Sequence, residues 1–329
     1  MLARNAEKAD EATQTTTEPP STATAAPRGL GDVLLIANPT AQNGKGSVSA
    51  YQASRLFYNL FGEEHFRMVL TEHPRHATEL AAQAGSCNTV LALGGDGVIH
   101  ETVGGLMRLR EEARPVLGII PIGSGNDYAR SLGIKGSLDE LCSRMPQLTP
   151  QPVDIGMVNG IPFMETLSFG LDAAIALDTV QRRVHTGHTG TRLYMESGFD
   201  QLMHHLDMRN YTLSADSGPE QSGSSLTFAV QIGPYYGGGF KVCPEAELDD
   251  GLFDVCIAHN ITSVPRAVRL FLKAKNGHHV GAPEIEQFRC AALSVRFPQA
   301  PPTQVDGEAL EATAFDISLA PRALRVLRP

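Results

Sequence analysis

Residues 88–106 read NTVLALGGDGVIHETVGGL, a buried strand that passes through a glycine turn into a helix. The helical part carries apolar residues at the spacing of one helix face: Val98, Ile99, Val103 and Leu106. Three further apolar runs alternate with helical patterns: DVLLIA at 32–37, FRMVLT at 66–71 and VLGIIPIG at 116–123. Strands that are apolar throughout and separated by helices predict a parallel sheet covered by helices on both faces.

The second half of the chain has a different pattern. Short strands alternate with turn residues after residue 150, and FDISL at 315–319 and LRVL at 324–327 are predicted as two separate strands. Asn159-Gly160 is the dipeptide that best supports a tight hairpin turn. Two helical stretches, 191–206 and 265–275, interrupt these strands. The predicted domains are an α/β domain with a parallel sheet at 29–150 and an antiparallel β-sandwich or barrel at 151–319.

Composition excludes several classes of protein. The 329 residues include Lys+Arg 27 and Asp+Glu 36, a net charge of -9, so no nucleic-acid partner is expected. The five cysteines form no C-x-x-C pair, which favours a reducing, cytoplasmic location. No apolar run approaches the roughly 18 residues of a membrane-spanning helix, so any membrane contact should be peripheral. Residues 1–28 have too few large apolar side chains to offset ordering entropy and are predicted to form a disordered tail.

Three glycine-containing loops follow predicted parallel strands: NPTAQNGKG at 38–46, GGDG at 94–97 and GSGND at 123–127. The carboxyl ends of parallel strands share one sheet edge, and a helix beginning near Val98 would direct its positive dipole end there. The loops therefore predict a phosphate-binding crevice. Alternatively, each glycine only turns a strand into a helix, with Asn126 and Asp127 as helix caps. The loops contain neither a Walker P-loop nor a dinucleotide fingerprint.

Two carboxylate-rich turns stand in the second half. GGGFKVCPEAELDDGLFDV at 237–255 offers hard oxygen ligands suited to magnesium or calcium, or else forms a solvated acidic turn. QVDGE at 304–308 places two carboxylates on a tight turn. A carboxylate at a cleft mouth can accept a hydroxyl proton during phosphoryl transfer, worth roughly 10²- to 10⁴-fold in rate. Sequence position does not choose between Asp306 and Glu308 for this role.

Six blocks in series carry a family resemblance: Asn38-Pro39, GGDGVIHETVGGL from 94, PIGSGNDYARSLGI from 121, SFGLDAA from 168, the 237–255 block and VDGE from 305. Over residues 30–329 the chain resembles the diacylglycerol kinase catalytic-domain family, which includes bacterial soluble lipid kinases and the sphingosine and ceramide kinases. The resemblance implies a nucleotide-binding α/β domain, a β-sandwich with the lipid site, and ATP in the cleft between them. It also implies that residues 320–329 can return to complete the first domain.

The resemblance implies ATP and Mg²⁺ as cofactors and assigns residues to them. The implied nucleotide contacts are Asn38, Pro39, Thr40, Thr71, Gly94, Gly95, Asp96, Gly97, Val98, Ile99, His100, Glu101, Ser124, Asn126 and Asp127. Asp96 would also organise the ATP-bound magnesium through water, and Glu308 would be the general base. The implied structural magnesium site consists of Asp250 with main-chain oxygens of Glu247 and Leu252.

The chain departs from the family pattern at a few of these positions. Ala41-Gln42 replaces the usual Ser-Gly, so the first loop is expected to close through its later glycines. Val98 stands where the family has Thr, which should weaken a phosphate or water contact by roughly 0.5 to 1.5 kcal/mol. Ser124 replaces another Thr but keeps the hydroxyl, and His100 takes a position often held by Asn.

Together these features predict an ATP-dependent kinase that transfers the γ-phosphate to a lipid hydroxyl, with diacylglycerol as the leading substrate class. A kinase of a sphingoid-type lipid and a catalytically weak nucleotide- or lipid-binding regulatory protein are the alternatives.

The lipid would be taken from a membrane surface, with transient contact. Arg266, Arg269 and Lys273 form a basic stripe in the stretch 263–275, which is typical of an interfacial helix. An ordinary surface helix with Val268, Phe271 and Leu272 packed inward is the alternative, and a homodimer remains open.

Overall fold

The computed structural model describes residues 29–188 and 190–329. The predicted tail at 1–28 lies outside the described residues. The helices are α1 (Ala41–Gly44), α2 (Gly46–Phe61), α3 (His76–Ala82), α4 (Asp96–Leu106), α5 (Asp127–Ser131), α6 (Leu138–Arg144), α7 (Leu171–Thr186), α8 (Gly190–His204) and α9 (Val264–Ala274). None of these helices is both long and apolar enough to span a bilayer.

The strands belong mainly to two sheets. In chain order they are β1 (Val33–Ala37), β2 (Phe66–Leu70), β3 (Thr89–Gly94), β4 (Val116–Pro121), β5 (Thr149–Val158), β6 (Ile161–Phe163), β7 (Thr166–Gly170), β8 (Arg209–Ala215), β9 (Gln221–Ser225), β10 (Thr227–Gln231), β11 (Tyr235–Tyr236), β12 (Phe240–Lys241), β13 (Phe253–Ala258), β14 (Ile285–Cys290), β15 (Ala292–Arg296), β16 (Thr303–Val305), β17 (Glu308–Ala309) and β18 (Ala314–Arg328).

The first sheet runs through both halves of the chain. Its order is β2-β1-β3-β4-β18-β15-β8-β9, with β5 paired to β18 and β6 to β5. Strands β2, β1, β3 and β4 are parallel, with Leu35 beside Leu91, and both β1 and β3 are buried along their whole length. The fold prediction of a helix-covered parallel sheet is therefore confirmed. Near its C-terminal end, β18 pairs in parallel with β4 through Val326 and Leu117, so the end of the chain returns to the first sheet.

The second sheet is antiparallel, with the order β14-β13-β10-β7-β16-β17, and packs against the antiparallel part of the first. Phenylalanine rings fill the space between them. Phe169 of β7 meets Phe315 of β18 with ring centroids 4.7 Å apart and Phe228 of β10 at 5.4 Å. This core confirms the predicted antiparallel sandwich. The hairpin at Asn159-Gly160 is also present, with both residues at positive φ, as a type I′ turn requires.

Helices α7, α8 and α9 cover the outer face of the second sheet. Their apolar side chains form a separate core with it: Leu171, Ile175, Tyr194, Leu202, Ala267 and Leu270. The sequence patterns predicted α8 and α9 but not α7. They also predicted separate strands for FDISL and LRVL, whereas the structure has one strand, β18, whose register shifts between Ala320 and Leu324.

Candidate active site

A cleft of about 830 Å³ lies where the parallel strands end against the edge of the second sheet, a volume typical of small-molecule sites. The α/β wall consists of Asn38, Thr40, Ala41, Gln42, Lys45, Gly95, Asp96, Gly97, Val98, Gly123, Ser124, Gly125 and Asp127. The sandwich wall consists of Met164, Glu165, Thr166, Tyr236, Gly237, Gly238, Gln304, Asp306, Gly307 and Glu308. Helices α7 and α8 contribute Ala176, Thr179, Val180, Arg183, Gly190, Leu193 and Tyr194. The three glycine loops therefore share one edge.

The first loop is closed by its own side chains and by a late glycine. The Oδ1 of Asn38 accepts hydrogen bonds from the Thr40 backbone N–H at 2.9 Å and the Thr40 hydroxyl at 2.8 Å. Gly46 packs so closely that a Cβ there would collide with the carbonyl oxygen of Asn38. The replaced pair Ala41-Gln42 starts the short helix α1 and lies on the cleft wall.

The second and third loops meet backbone to backbone. A Cβ on Gly123 would collide with the Cα of Gly95, so the two strand ends approach this closely only because both positions are glycine. Helix α4 begins at Asp96, directly after this contact, and its first-turn residues line the cleft. Free backbone N–H groups at a helix N-terminus favour an anion, and this end of the cleft therefore suits phosphate groups.

Two carboxylates lie close together at this edge. Asp96 accepts a hydrogen bond from the Tyr128 N–H at 3.3 Å, and Asp127 accepts one from the Gly238 N–H at 2.7 Å and pairs with Arg130. Burial and the charge of Asp127 raise the pKa of Asp96 from 3.8 to about 6. Burial also raises the pKa of Asp127. A divalent cation beside Asp96 would offset this repulsion, so the residues fit a magnesium ion carried with the nucleotide.

Glu165 is a further acidic residue of the cleft that sequence reasoning missed. It is buried directly before β7 and accepts a hydrogen bond from the Ser131 hydroxyl at 2.9 Å. Burial, and then the charges of Asp127 and Asp96, raise its pKa well above the ordinary value, which favours the neutral acid. The available signal was a lone glutamate inside the apolar run FMETLSFG at 163–170.

The two carboxylates of the QVDGE turn have different environments in the structure. The side chain of Asp306 is buried and accepts hydrogen bonds from three consecutive backbone N–H groups: Met164 at 2.8 Å, Glu165 at 3.1 Å and Thr166 at 2.9 Å. His100 of α4 adds a fourth contact, Nδ1 to Oδ2 at 2.8 Å. Burial disfavours the charged imidazole, but the hydrogen bond and charge of Asp306 outweigh burial and raise the pKa of His100. Glu308 is exposed and lines the cleft, so the geometry favours Glu308 as the base.

Several of the implied nucleotide contacts do not line the cleft. Ile99 is fully buried in the core, and the Glu101 carboxylate accepts the Arg75 and Ala77 N–H groups of the α3 end at 2.9 and 3.2 Å. Asn126 donates from Nδ2 to the Gly123 carbonyl at 3.0 Å. The others outside the lining are Pro39, Thr71, Gly94 and His100. Those that line it are Asn38, Thr40, Gly95, Asp96, Gly97, Val98, Ser124 and Asp127.

The implied structural magnesium site lies away from the cleft. The Oδ1 of Asp250 accepts the Leu252 N–H at 3.0 Å, and its Oδ2 is 3.7 Å from the Arg289 guanidinium. Arg289 also donates to Asp254 at 2.9 Å, whereas Glu247 is exposed. The Arg289 guanidinium already supplies positive charge to this turn, and the assignment of a metal ion to it stays a prediction.

Comparison with known proteins identifies the family. Residues 32–158 match the diacylglycerol kinase catalytic domain, and residues 165–328 match the YegS C-terminal NAD kinase beta sandwich-like domain. A Chromohalobacter salexigens protein named "Probable lipid kinase YegS-like" is 31% identical over 254 residues, which cover 76% of this chain and 78% of that protein. The chain belongs to the diacylglycerol kinase catalytic-domain family.

A second relative and a solved structure support this assignment. A Bacillus subtilis diacylglycerol kinase is 29% identical over 256 residues, which cover 74% of this chain and 82% of that protein. The crystal structure of a diacylglycerol kinase from Bacillus anthracis superposes with a TM-score of 0.69 at 20% identity, covering 91% of this chain and 97% of that one, and supports the fold. The predictions of a lipid kinase and of ATP use are confirmed.

Proposed function

We propose that this lipid kinase phosphorylates the free hydroxyl of diacylglycerol, using MgATP bound in the cleft. The observation that carries the proposal is a second, apolar cavity of about 90 Å³ between the second sheet and helices α7, α8 and α9. Tyr194 and Tyr236 line both the cavity and the cleft. The first few methylenes of an acyl chain would fill the cavity and thus place the polar end of the lipid beside the phosphate-binding loops.

Asp172 marks the boundary between the two spaces. Its Oδ1 accepts hydrogen bonds from the hydroxyls of Tyr194, at 2.9 Å, and Tyr236, while its buried Oδ2 has no partner among the described residues. Burial raises the pKa of Asp172 despite these hydrogen bonds. A carboxyl group shifted toward its neutral form can donate to a hydroxyl or ester oxygen but binds an ammonium poorly. This feature favours a neutral glycerolipid over a sphingoid base.

The proposed transfer relies on positioning and charge. The glycine loops and the start of α4 would hold the polyphosphate, and the exposed side chains of Lys45 and Arg183 would neutralise part of its charge. Magnesium beside Asp96 would supply further charge neutralisation when bound. Glu308 would take the proton of the lipid hydroxyl as the hydroxyl oxygen bonds to the γ-phosphorus, while the bond from that phosphorus to the bridging oxygen breaks and ADP leaves.

Membrane contact is proposed through α8 and α9. Phe199, Met203 and Leu272 are exposed there, and the Phe199 ring meets the Phe271 ring of α9 with centroids 6.1 Å apart.

Helix α9 has features of both an interfacial helix and an ordinary surface helix. It packs Ala267 and Leu270 inward, with Val268 and Phe271 partly buried beside them, but Leu272 is exposed rather than packed inward. Its basic stripe is reduced to Arg269 and Lys273, because Arg266 is paired with Glu284 at 2.6 Å.

Incubation with radiolabelled ATP, Mg²⁺ and phosphatidylcholine vesicles containing dioleoylglycerol or sphingosine tests the substrate. We expect label in phosphatidic acid and little in sphingosine phosphate. Asp172→Asn should keep much of the activity on dioleoylglycerol, since an amide can donate like the neutral acid. Preferred labelling of sphingosine would contradict the proposal, and ATP binding without any labelled lipid would indicate the regulatory alternative.

Vesicle co-sedimentation tests the membrane contact separately. Leu272→Ser should weaken binding to anionic vesicles, whereas Leu60→Ser on α2, which has a similar exposure (49% against 45%), should not. Equal binding by the two variants would place the membrane contact elsewhere.

A further inference from the structure

A group of metal-binding residue types lies outside the cleft lining, where β2 leads into α3. His73, His76 and Glu79 each offer one ligand atom, and these atoms all lie within 4.8 Å of one another. His76 and Glu79 are three residues apart on α3 and so share a helix face. His73 reaches them because Arg75 adopts a left-handed conformation, φ 67°, which stacks the two imidazoles with centroids 4.6 Å apart.

The hydrogen bonds of the two imidazoles indicate which nitrogens are available. The Nδ1 of His73 is 3.0 Å from the Pro74 carbonyl oxygen. Because a carbonyl oxygen only accepts hydrogen bonds, Nδ1 carries the proton, and the lone pair of Nε2 is free to bind a metal. The Nδ1 of His76 accepts the Glu72 N–H at 3.0 Å. Metal binding requires that His76 give up this hydrogen bond, but Glu72 is exposed and its N–H can turn to water instead.

We propose that His73, His76 and Glu79 form a binding site for a divalent transition metal of the zinc class. Two imidazoles and one carboxylate with an open position for water make up a ligand set that zinc uses, whereas magnesium and calcium prefer oxygen ligands alone. Ligand atoms around tetrahedral zinc lie roughly 3.3 Å apart. His73 and Glu79 are exposed and His76 is half-buried, so side-chain rotation can close the remaining distance.

The site is joined to helix α4 by hydrogen bonds from two backbone N–H groups to the Glu101 carboxylate. The Arg75 and Ala77 N–H groups, which flank His76, donate to Glu101 of α4, and the first turn of α4 lines the cleft. A bound metal would hold the turn after β2 against the start of α3. It would therefore stabilise the α3–α4 pair without entering the cleft.

Isothermal titration of the chelator-treated full chain with zinc chloride tests this site. We expect one saturable site in the wild type and at least about tenfold weaker binding in the double variant His73→Gln/His76→Gln. The control is His204→Gln/His205→Gln, because these two exposed histidines on and after α8 also form a close pair of rings and should leave the tight site unchanged. Glu79→Gln should weaken binding less than the double substitution.

Thermal unfolding followed by circular dichroism gives a readout independent of kinase activity. Zinc should raise the unfolding temperature of the wild type and of the His204→Gln/His205→Gln control, but not that of His73→Gln/His76→Gln. When Co²⁺ is used in place of zinc, its absorption spectrum should change on binding to the wild type and to the His204→Gln/His205→Gln control, but not with His73→Gln/His76→Gln. Unchanged affinity in His73→Gln/His76→Gln, or no saturable zinc binding by the wild type, would overturn the proposal, whatever the lipid assays show.

Discussion

The two walls of the cleft are built on different principles. The α/β wall depends on main-chain geometry: Gly95 touches Gly123, Gly46 touches Asn38, and α4 begins where these loops meet. The sandwich wall depends on side chains from several segments, and the four contacts of Asp306 hold the turn that carries Glu308. In the proposed mechanism, phosphate recognition thus depends on backbone shape, whereas proton acceptance depends on the single carboxylate of Glu308.

Because of this difference, we expect variants of the two walls to have different defects. Changes to the α/β wall should alter nucleotide affinity and local stability, because they displace N–H groups or a charge that would contact the polyphosphate in the proposed mechanism. Changes to Glu308 should alter the chemical step with little effect on ATP binding.

Glu308→Ala should give the largest effect. The loss of the proposed general base should lower kcat by roughly 10²- to 10⁴-fold with a nearly unchanged Kd for ATP. Steady-state lipid phosphorylation and nucleotide titration measure the two quantities.

Glu311→Ala is the matched control for Glu308→Ala, since Glu311 is an exposed glutamate on the same segment that does not line the cleft. Equal losses in both variants, or a large change in ATP affinity in Glu308→Ala alone, would show that the two walls do not divide the work in this way.

Asp96→Asn should raise the stability of the protein but lower its kinase activity. The ionised carboxylate destabilises the fold, because the pKa of Asp96 is about 6 in the native protein against an ordinary 3.8, a difference worth about 3 kcal/mol. We therefore expect Asp96→Asn to raise the free energy of unfolding by up to that amount above pH 6. The gain should shrink as the pH falls from 6 to 3.8 and vanish below that.

Urea unfolding at several pH values measures this dependence. The same variant should lose most kinase activity, and the wild type should need more Mg²⁺ for half-maximal rate as Asp96 protonates below pH 6. A variant that is no more stable at pH 8 than at pH 4, relative to the wild type, would contradict the argument.

Gly123→Ala should act chiefly through the backbone contact with Gly95, although the new Cβ would also lie 2.7 Å from the Oδ1 of Asn126. The new Cβ would push against the Cα of Gly95 and separate the two loops, which should destabilise the fold by about 1 to 3 kcal/mol and raise the KM for ATP. Gly104→Ala on α4 is the control, because a Cβ there meets its nearest atom only at 3.9 Å and alanine favours the helix. Similar unfolding curves for the two variants would remove the close glycine contact from the explanation.

Local signals account for what the sequence predicted correctly. The parallel strands are apolar on both faces, and the loops after them contain several glycines, so the residue pattern by itself was enough to place the α/β wall. Helix α7 was missed because it begins after Gly170, at φ 82°, without a side-chain cap that would announce its start. The single strand β18 was divided because Pro321 and Arg322, the latter at φ 53°, interrupt the strand pattern at its irregular point.

The sandwich wall could not be built from local signals. Asp306 and His100 are separated by 206 positions, and Asp172 contacts Tyr236 over 64. Such pairs form only when the final topology brings distant strands and helices together. Glu165 was likewise one acidic residue in an apolar run, and its significance arises from the carboxylates that surround it in the folded protein.

His100→Asn should give the smallest effect and tests the link between the walls. Because the pKa of His100 is raised, the stability contributed by its pair with Asp306 is fully present below the ordinary value of 6.5 and is lost as the pH rises through the higher native pKa. We expect a loss of about 1 kcal/mol at pH 6 and less at pH 9, measured by urea unfolding. His65→Asn is the control, since it breaks a histidine–aspartate pair of the same 2.8 Å length that is exposed to solvent. Exposed pairs are screened by water, so His65→Asn should change stability less at either pH. If the two variants behaved alike, burial of the His100–Asp306 pair would add nothing to the join between the two walls.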